Sequence, residues 1–454
     1  MTQVLSLILA GGKGDRLSPL TRDRAKPAVP FGGLYRIIDF ALSNCVNSGL
    51  RQIFVLTQYK SMSLDRHLHQ AWNSFPREWG EFIDVLSPQQ RVGEHWYRGT
   101  ADAVYQNLEA IRKTNADQVL ILCGDHIYKM DYRELLNQHA ASGADVTVGC
   151  IPVPLDDASS FGIMQVSSEG RIVDFQEKPA HPKPMPDVSD HCLASMGIYV
   201  FDTAFLLDRL SRDAEDSRSA HDFGKNIIPS LIRSHDVRVF PFHDSTGNSA
   251  YWRDVGTLDA YYQASMDLLE EEPRLDLYDP EWRFHTYLPP LPPPRVGGHA
   301  GDHDGFKNHS IRNVMIAPGA VLSDADVECS IISPNVRLRS GVVVWESILL
   351  DGVTVGRNAC IRRAIIDKDV FIPDEAMIGF DPSFDQARGF TITESGVVVV
   401  PKGTNVGRMP RPRTTDSRFV PGRHSDDGQM STANAVGVSS SAFKDQARSR
   451  RNES

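Results

Sequence analysis

Residues 7–26 read Leu-Ile-Leu-Ala-Gly-Gly-Lys-Gly-Asp-Arg-Leu-Ser-Pro-Leu-Thr-Arg-Asp-Arg-Ala-Lys, and the rest of the chain is organised around them. The apolar run from Val4 to Leu9 is typical of a buried parallel strand. It stops at Gly11, Gly12 and Gly14, where glycine lets the backbone turn with positive φ and bring N–H groups close to a ligand. Successive N–H groups form a concavity that suits phosphate oxygens.

Two cations follow this turn, Arg16 and Lys26, and both are suited to neutralising a polyphosphate. The spacing matches neither the dinucleotide-binding motif Gly-x-Gly-x-x-Gly nor the P-loop motif. On these residues alone, a strand that ends in a glycine turn with solvated basic side chains remains an alternative to a phosphate site.

Size and composition limit the possible functions. The chain has 454 residues, which allows two or three domains, and its formal charge of −10 disfavours non-specific binding to nucleic acid. No apolar run approaches the roughly 18 residues of a membrane span, and the N-terminus does not have the pattern of a signal peptide. The six cysteines are scattered without a Cys-x-x-Cys motif, so we expect free thiols and a cytoplasmic protein.

Strand and helix patterns alternate through the first third of the chain. This alternation predicts an α/β fold with a doubly wound, mostly parallel, Rossmann-like sheet in a catalytic domain at residues 1–272. Ligands of such sheets bind outside the carboxyl ends of the strands, where both the glycine turn and Gly124-Asp125-His126 fall.

The remaining chain divides into three predicted segments. Residues 273–309 are rich in proline and glycine and read as a linker. Residues 310–405 contain a repeat in which Ser330-Ile331-Ile332 returns as Ser347-Ile348-Leu349 and Ala364-Ile365-Ile366, every 17 residues. Three hexapeptides make one circuit of a left-handed parallel β-helix, with two antiparallel hairpins as the alternative. Residues 406–454 are polar, and we expect a disordered tail.

Two aspartates are candidates for holding a metal ion. Asp125 directly follows a predicted buried strand, and Asp254 lies in Trp252-Arg253-Asp254-Val255-Gly256-Thr257. Carboxylates from distant segments can share one Mg²⁺ on a triphosphate. Aspartate also caps turns very often, and the spacing alone does not separate the two possibilities.

The longer pattern, Gly-Gly-x-Gly-x-Arg-Leu-x-Pro-Leu-Thr followed by Lys-Pro-Ala-Val-Pro-Phe-Gly-Gly, resembles the sugar nucleotidyltransferases. The segments 31–45, 97–103 and 124–128 narrow this resemblance to the glucose-1-phosphate adenylyltransferases, over about residues 5–400. The resemblance implies catalytic roles for Arg16, Lys26 and Asp125, and Mg²⁺ held by Asp125 and Asp254. It implies nucleotide binding by backbone at three glycines: Gly11, Gly12 and Gly99.

The same resemblance implies a site for the sugar phosphate. Lys178 matches a lysine that contacts the phosphate, and Glu177 matches a glutamate that contacts sugar hydroxyls. Gly162, Ser195 and Tyr97 match further positions of that site. Without the resemblance, Glu177-Lys178 would be interpreted as a solvated pair and Tyr97 as a packed ring.

The implied reaction converts ATP and α-D-glucose 1-phosphate into ADP-glucose and diphosphate, for glycogen or α-glucan synthesis. The family is typically homotetrameric and controlled by metabolites. Three alternatives are a pyrophosphorylase for another NTP, a non-catalytic regulatory subunit, and an acyltransferase that uses the β-helix. An acyltransferase would need a histidine in the repeat, and residues 319–373 contain none.

Regulation is where the sequence departs from the family pattern. Many relatives carry a lysine immediately before Arg-Ala-Lys-Pro and a histidine before Phe-Gly-Gly, and these places hold Asp23 and Pro30 here. Arg36 matches a basic effector contact and is retained, with a surface salt bridge as its alternative role. We therefore expect control by phosphorylated metabolites with weak preference for fructose 1,6-bisphosphate, because a carboxylate repels phosphate.

Overall fold

The computed structural model describes residues 2–73, 75–89, 95–186, 188–244, 246–297 and 310–407. The second part of the predicted linker, 298–309, and the predicted tail from residue 408 onward lie outside the described residues. The boundaries at 272, 309 and 405 stay predictions. The described residues belong to one compact unit, so the catalytic region and the repeat region pack against each other.

The sheet of the catalytic region is built around the strand that precedes the glycine turn. That strand, β1, is apolar on both faces, and its Leu5, Leu7 and Ile8 are fully buried. The strands of the catalytic region are β1 (Val4–Ala10), β2 (Pro30–Phe31), β3 (Tyr35–Arg36), β4 (Gln52–Thr57), β5 (Phe82–Leu86), β6 (Gln118–Cys123), β7 (His126–Tyr128), β8 (Val146–Pro154), β9 (Gly162–Val166), β10 (Ile172–Glu177), β11 (His191–Asp202), β12 (Val237–Pro241) and β13 (Trp252–Asp254).

Nine of these strands form one mixed sheet. Its main order is β10-β9-β11-β6-β1-β4-β5, and β8 pairs with both β11 and β12. Strands β5, β4, β1 and β6 are mutually parallel, so their carboxyl ends share one edge. Strand β11 runs antiparallel to β6 and β8, which makes the half of the sheet beyond β6 mixed. The α/β fold class is confirmed.

Helices cover both faces of this sheet, and no helix among the described residues is long and apolar enough to cross a membrane. The α-helices are α1 (Ile37–Asn47), α2 (Met62–Ala71), α3 (Thr100–Tyr105), α4 (Leu108–Thr114), α5 (Tyr132–Ser142), α6 (Thr203–Glu215), α7 (Ile228–Leu231), α8 (Leu258–Asp267) and α9 (Pro382–Ala387).

The repeat region is a parallel β-helix with the predicted period. Ile331 pairs with Ile348 and Ile348 with Ile365, both in parallel strands and both 17 residues apart. The strands are β14 (Arg295–Gly297), β15 (Ile311–Ile316), β16 (Val321–Ser323), β17 (Asp326–Ile332), β18 (Arg337–Leu338), β19 (Val343–Trp345), β20 (Ile348–Leu349), β21 (Thr354–Val355), β22 (Cys360–Arg362), β23 (Ala364–Ile366), β24 (Phe371–Ile372), β25 (Met377–Ile378), β26 (Thr391–Ile392) and β27 (Val398–Val400).

The corners of the β-helix repeat with the same period of 17 residues. Each corner carries one residue with positive φ, a conformation that costs a residue with a Cβ atom free energy and that glycine and asparagine tolerate best. The three series are Asp324, Gly341, Asn358 and Glu375; Cys329, Glu346 and Arg363; and Asn335, Gly352 and Asp369.

The repeated apolar pairs face two ways. The second member of each pair, Ile332, Leu349 or Ile366, lies in the interior of the β-helix. The first member, in the series Ile331, Ile348 and Ile365, packs into a separate cluster with Phe31, Tyr261 and other apolar residues of the catalytic region. Only half of each pair therefore fills the β-helix core, and the other half joins the two regions.

The described part of the predicted linker is held against helix α1. Trp282 Nε1 donates to Asn44 Oδ1 (3.0 Å), and the Thr286 hydroxyl donates to the buried Asp39 carboxylate (2.7 Å). The carbonyl of Arg283 accepts a hydrogen bond from the Asn47 side chain (3.0 Å). These contacts hold residues 282–286 against the catalytic region, while Arg295–Gly297, at the end of the described linker, forms β14 and pairs with β16 of the β-helix.

Candidate active site

A small two-stranded sheet brings the two candidate metal ligands together. Strand β7 directly follows Asp125, and β13 ends at Asp254. The strands pair antiparallel with Asp254 opposite His126, the neighbour of Asp125. The two carboxylates therefore meet although 129 positions separate them in the sequence.

Lys26 lies between these carboxylates and bridges them. Its Nζ is 2.7 Å from Asp254 Oδ1 and 2.9 Å from Asp125 Oδ2, and only 8% of its side chain is exposed. Burial by itself lowers the pKa of Lys26, but attraction to Asp125 and Asp254 outweighs it and the pKa is raised. Burial would likewise raise the pKa of Asp125, yet Lys26 and His126 bring it down to about 2. Lys26 and Asp125 are therefore both charged at neutral pH.

The same geometry tests whether a metal ion fits here. One oxygen of each carboxylate contacts a single ammonium nitrogen, so the ammonium stands in for a cation that both aspartates can share. Oxygen ligands of this kind suit a hard divalent ion such as Mg²⁺. His126 Nε2 lies 3.6 Å from Asp125 and 4.0 Å from Asp254, on the border of the same site. The two aspartates fit a divalent cation.

The glycine turn lies beside this cluster at the carboxyl end of β1. Of its three glycines, Gly14 uses the positive φ that glycine permits (66°), whereas Gly11 and Gly12 do not. Gly11 packs against Gln58, since an added Cβ would lie 3.2 Å from Gln58 Cβ, whereas a Cβ at Gly12 would meet no atom within 4 Å. The open face at Gly12 leaves backbone accessible to a ligand.

Arg16 is exposed, and its guanidinium reaches the end of β13. A Cβ added at Gly256 would lie 3.1 Å from Arg16 Nη2 and 3.0 Å from Asp254 Oδ2. The structure thus brings together Arg16, Lys26, Asp125 and Asp254, as the sequence analysis predicted for a triphosphate site.

Glu177 and Gly162 face each other on the β9–β10 hairpin. They are register partners, and a Cβ at Gly162 would lie 2.5 Å from Phe175 Cζ and 2.9 Å from Glu177 Oε2. Burial raises the pKa of Glu177, and only the exposed Lys178, 3.8 Å away, and a second lysine oppose this. A half-buried carboxylate beside an exposed lysine suits a ligand that carries both hydroxyls and a phosphate.

Three other predicted residues have packing roles of their own. The Tyr97 ring is 8% exposed in the core, and its hydroxyl accepts a hydrogen bond from Asn107 Nδ2 (2.9 Å). The hydroxyl of Ser195 accepts from the backbone N–H of Gly197 (3.2 Å). A Cβ at Gly99 would lie 2.3 Å from the His221 carbonyl oxygen, so protein backbone already requires glycine there. Ligand contacts by these three residues stay predictions.

Sequence reasoning missed three residues near the candidate site: Asp222, Tyr199 and Cys123. Burial raises the pKa of Glu177, and the negative charge of Asp222 raises it further. Burial also raises the pKa of the Tyr199 hydroxyl, and the charges of Cys123, Glu177 and Asp222 add to that. Burial raises the pKa of Cys123 well above its usual range, and Asp125, Asp254 and Asp222 add to that. The Cys123 sulfur lies within 4.8 Å of ligand atoms of Asp125 and His126, beside the aspartate pair. In the sequence, the acidic Asp222 and the basic Lys225 of the run Asp222-Phe223-Gly224-Lys225 are the signal that could have indicated polar groups here.

Arg36 lies elsewhere, in a cavity between the catalytic region and the β-helix. This cavity has a volume of about 240 Å³, and its walls include Arg36, Tyr35, Asp351 and Lys368. The Arg36 guanidinium donates to the Ala28 carbonyl oxygen (2.5 Å), which differs from the surface salt bridge considered as its alternative role. Burial lowers the pKa of Arg36.

Comparison with known proteins gives two matching family models and several similar relatives. A family model described as nucleotidyl transferase matches residues 5–271, and one described as GlmU-like, C-terminal hexapeptide matches residues 298–400. The chain is 53% identical to the glucose-1-phosphate adenylyltransferase of Rhodopirellula baltica, over 89% of this chain and 91% of that protein. It is 51% identical to the Hydrogenovibrio crunogenus protein of the same name, over 88% and 93% of the two chains. It is also 50% identical to the one from Methylobacillus flagellatus, over 87% and 92%.

Proposed function

The chain belongs to the glucose-1-phosphate adenylyltransferase family, and we propose that it converts ATP and α-D-glucose 1-phosphate into ADP-glucose and diphosphate. The observation that carries this proposal is the cluster of Arg16, Lys26, Asp125 and Asp254 at the carboxyl edge of the sheet. A chain that had lost catalysis would not need to keep these four charged groups together.

The chemistry requires positioning and neutralisation of charge. A phosphate oxygen of glucose 1-phosphate attacks the α-phosphorus of ATP in line, the bond from that phosphorus to the bridging oxygen breaks, and diphosphate leaves with the electron pair. Because phosphates carry the negative charge throughout, Arg16 and Lys26 lower the barrier by offsetting it. The backbone at Gly11 and Gly12 lets the nucleotide approach β1 closely.

The nucleotidyl transferases that residues 5–271 resemble use a divalent metal ion, and we propose Mg²⁺ here. Asp125 and Asp254 would hold it, and when bound it supplies charge stabilisation for the phosphates. Two carboxylates suffice, because Mg²⁺ keeps several of its water ligands.

The sugar phosphate would bind on the β9–β10 side of the site. Lys178 extends into solvent with 53% of its side chain exposed, so its ammonium is available to a phosphate. The Glu177 carboxylate would accept hydrogen bonds from sugar hydroxyls, and Ser195, Tyr97 and Gly162 would shape the wall behind the sugar.

Diphosphate release separates this proposal from its alternatives. The full chain is incubated with glucose 1-phosphate and ATP, UTP, dTTP or GTP, each with and without Mg²⁺. We expect release with ATP and Mg²⁺ only. Preference for another NTP would indicate a different pyrophosphorylase, and no release with any NTP would indicate a non-catalytic subunit.

We further propose a cytoplasmic homotetramer controlled by metabolites. The six free cysteines support a reducing compartment, and the cavity at Arg36 and Lys368 supports an anionic effector. Asp23 forms an exposed ion pair with Arg22, which leaves a carboxylate near the place where relatives carry a cation.

Activity with fructose 1,6-bisphosphate, fructose 6-phosphate, AMP and phosphate tests this control. We expect weak activation of the wild type by fructose 1,6-bisphosphate, stronger activation in Asp23→Lys, and loss of effector response in Arg36→Ala. Strong activation that neither substitution changes would place the effector site elsewhere. Sedimentation velocity tests the tetramer.

A further inference from the structure

The ammonium of Lys26 occupies the place between the carboxylates where a cation shared by Asp125 and Asp254 would have to be. Its Nζ contacts one oxygen of each aspartate, at 2.9 and 2.7 Å. The exposed fractions of the three side chains are 8% for Lys26, 30% for Asp125 and 14% for Asp254, so little water separates the charges. Two cations cannot share this place without strong repulsion in so poorly screened a site.

The side chain of Lys26 also borders the nucleotide site. Its backbone is fixed in a short 3₁₀ helix, Lys26–Ala28, where the Val29 N–H donates to the Lys26 carbonyl. A Cβ added at Gly14 would lie 3.1 Å from Lys26 Cβ, so the side chain starts against the glycine turn and ends at the carboxylates. A triphosphate on the glycine turn would offer the ammonium a second set of anionic partners close to its own backbone.

We propose that Lys26 is an internal placeholder that keeps a divalent cation off Asp125 and Asp254 until the nucleotide draws the ammonium away. The inference rests on the proposed function, since it takes the aspartate pair to be the metal site. It adds an order of events: the free protein binds a divalent cation weakly, and metal and nucleotide enter together. Lys26 thereby also keeps two nearby carboxylates from repelling each other in the free protein.

Binding of Mn²⁺, followed by electron paramagnetic resonance, tests the placeholder without any turnover. The full-length wild type and Lys26→Met are titrated with Mn²⁺ alone and then with the α,β-methylene analogue of ATP. Without nucleotide, we expect Lys26→Met to bind Mn²⁺ about tenfold or more tightly than the wild type, the scale of removing one charge-assisted contact. Wild type should gain affinity when the analogue is added.

Matched variants separate this idea from a general charge effect. Lys129→Met removes one positive charge four residues from Asp125, from an exposed lysine that pairs with Asp279 outside the cluster. It should bind Mn²⁺ like the wild type. Lys26→Gln serves as a second neutral variant if Lys26→Met folds poorly.

The outcomes also distinguish the inference from the metal site on which it rests. Mn²⁺ affinities within twofold in wild type and both Lys26 variants would overturn the placeholder role. The double variant Lys26→Met/Asp254→Asn should lose the gained affinity. If that variant keeps it, or if no protein binds Mn²⁺ with the analogue present, the metal site itself is wrong.

Discussion

At the scale of single residues, the charge balance around Lys26 explains how two carboxylates can lie close together inside an acidic protein. Each aspartate contacts the same ammonium, and the pKa of Asp125 falls to about 2 as a result. Asp125 therefore stays ionised throughout the range in which the enzyme would work. A loss of activity between pH 5 and 8 would have to come from another group.

Replacing either aspartate by asparagine keeps the shape and removes one charge. We expect Asp125→Asn and Asp254→Asn each to lower kcat about 10²-fold or more, the scale of one preorganised electrostatic contact. Circular dichroism and melting curves check the fold. Near-normal turnover in a folded variant would contradict the role of that residue.

Lys178→Gln should separate the two substrates. Its ammonium is exposed and would touch only the sugar phosphate, so KM for glucose 1-phosphate should rise far more than KM for ATP. Losing a charge-assisted hydrogen bond typically lowers kcat/KM about 10–10²-fold. Lys183→Gln is a matched control, because Lys183 is similarly exposed and pairs with Asp174 instead. An equal loss toward both substrates would point to a general structural role.

Glu177→Gln should weaken function and strengthen the fold. Burial raises the pKa of Glu177 in the folded protein, so the carboxyl ionises at lower pH in the unfolded chain. Ionisation therefore favours the unfolded chain, and stability falls as pH rises from the ordinary pKa of glutamate through the raised pKa. The substitution should therefore raise Tm at pH 7 but not below the ordinary pKa of a glutamate, while KM for glucose 1-phosphate rises about tenfold. A lower Tm at pH 7 would contradict this account.

At the scale of elements, the β7–β13 ladder and the β9–β10 hairpin position the chemistry. Each ends at a carboxylate with a proposed role, Asp254 or Glu177, and each is held in place by antiparallel pairing of its two strands. The β-helix works differently, since its strands are only two to seven residues long and its corners set the shape.

Two glycines outside these corner series, near the C-terminal end of the β-helix, give a prediction with a matched control. Gly379 and Gly389 both have positive φ, 85° and 80°, so alanine strains each backbone by about 1–2 kcal/mol. A Cβ at Gly379 would lie 1.9 Å from the Arg362 carbonyl oxygen, whereas a Cβ at Gly389 would meet nothing within 4 Å. Gly379→Ala should therefore cost about 1–3 kcal/mol more than Gly389→Ala, the scale of overpacking. Equal melting temperatures for the two variants would contradict this prediction and show that the β-helix backbone shifts to accommodate the added Cβ.

At the scale of the whole molecule, the β-helix supports the catalytic region through a buried interface. Ile331, Ile348 and Ile365 pack there with catalytic-region residues, and Arg24 donates to both oxygens of Asp367 (2.9 and 3.2 Å) with hardly any exposure. Arg24 lies two residues from Lys26, so the same short segment contacts the interface and the active site.

Removing the β-helix should therefore damage the catalytic region. A chain that ends before Ile311 would expose the apolar residues of the catalytic region that pack against the β-helix, and it would leave Arg24 without the Asp367 carboxylate. Removing one partner of a buried ion pair typically lowers the free energy of unfolding by about 3–5 kcal/mol. We expect aggregates or dissociated, weakly active protein by sedimentation velocity. A chain shortened after Gly407 keeps every contact described here and serves as the control. An unchanged profile and effector response in the shorter chain would contradict the structural role.

The sequence by itself determined the features that depend on local pattern. The apolar run and the glycines that follow it predicted β1 and a site at its carboxyl end. The 17-residue period predicted the β-helix, because a repeat of this kind is visible directly in the order of residues. Tertiary structure alone decided how distant segments combine. Pairing of β7 with β13 brought Asp125 and Asp254 together, and folding placed Asp222 near Glu177. Packing directed Ile348 toward the catalytic region rather than into the interior of the β-helix. These outcomes depend on contacts between segments more than 40 positions apart, which a one-dimensional pattern of hydrophobicity and turn residues does not encode.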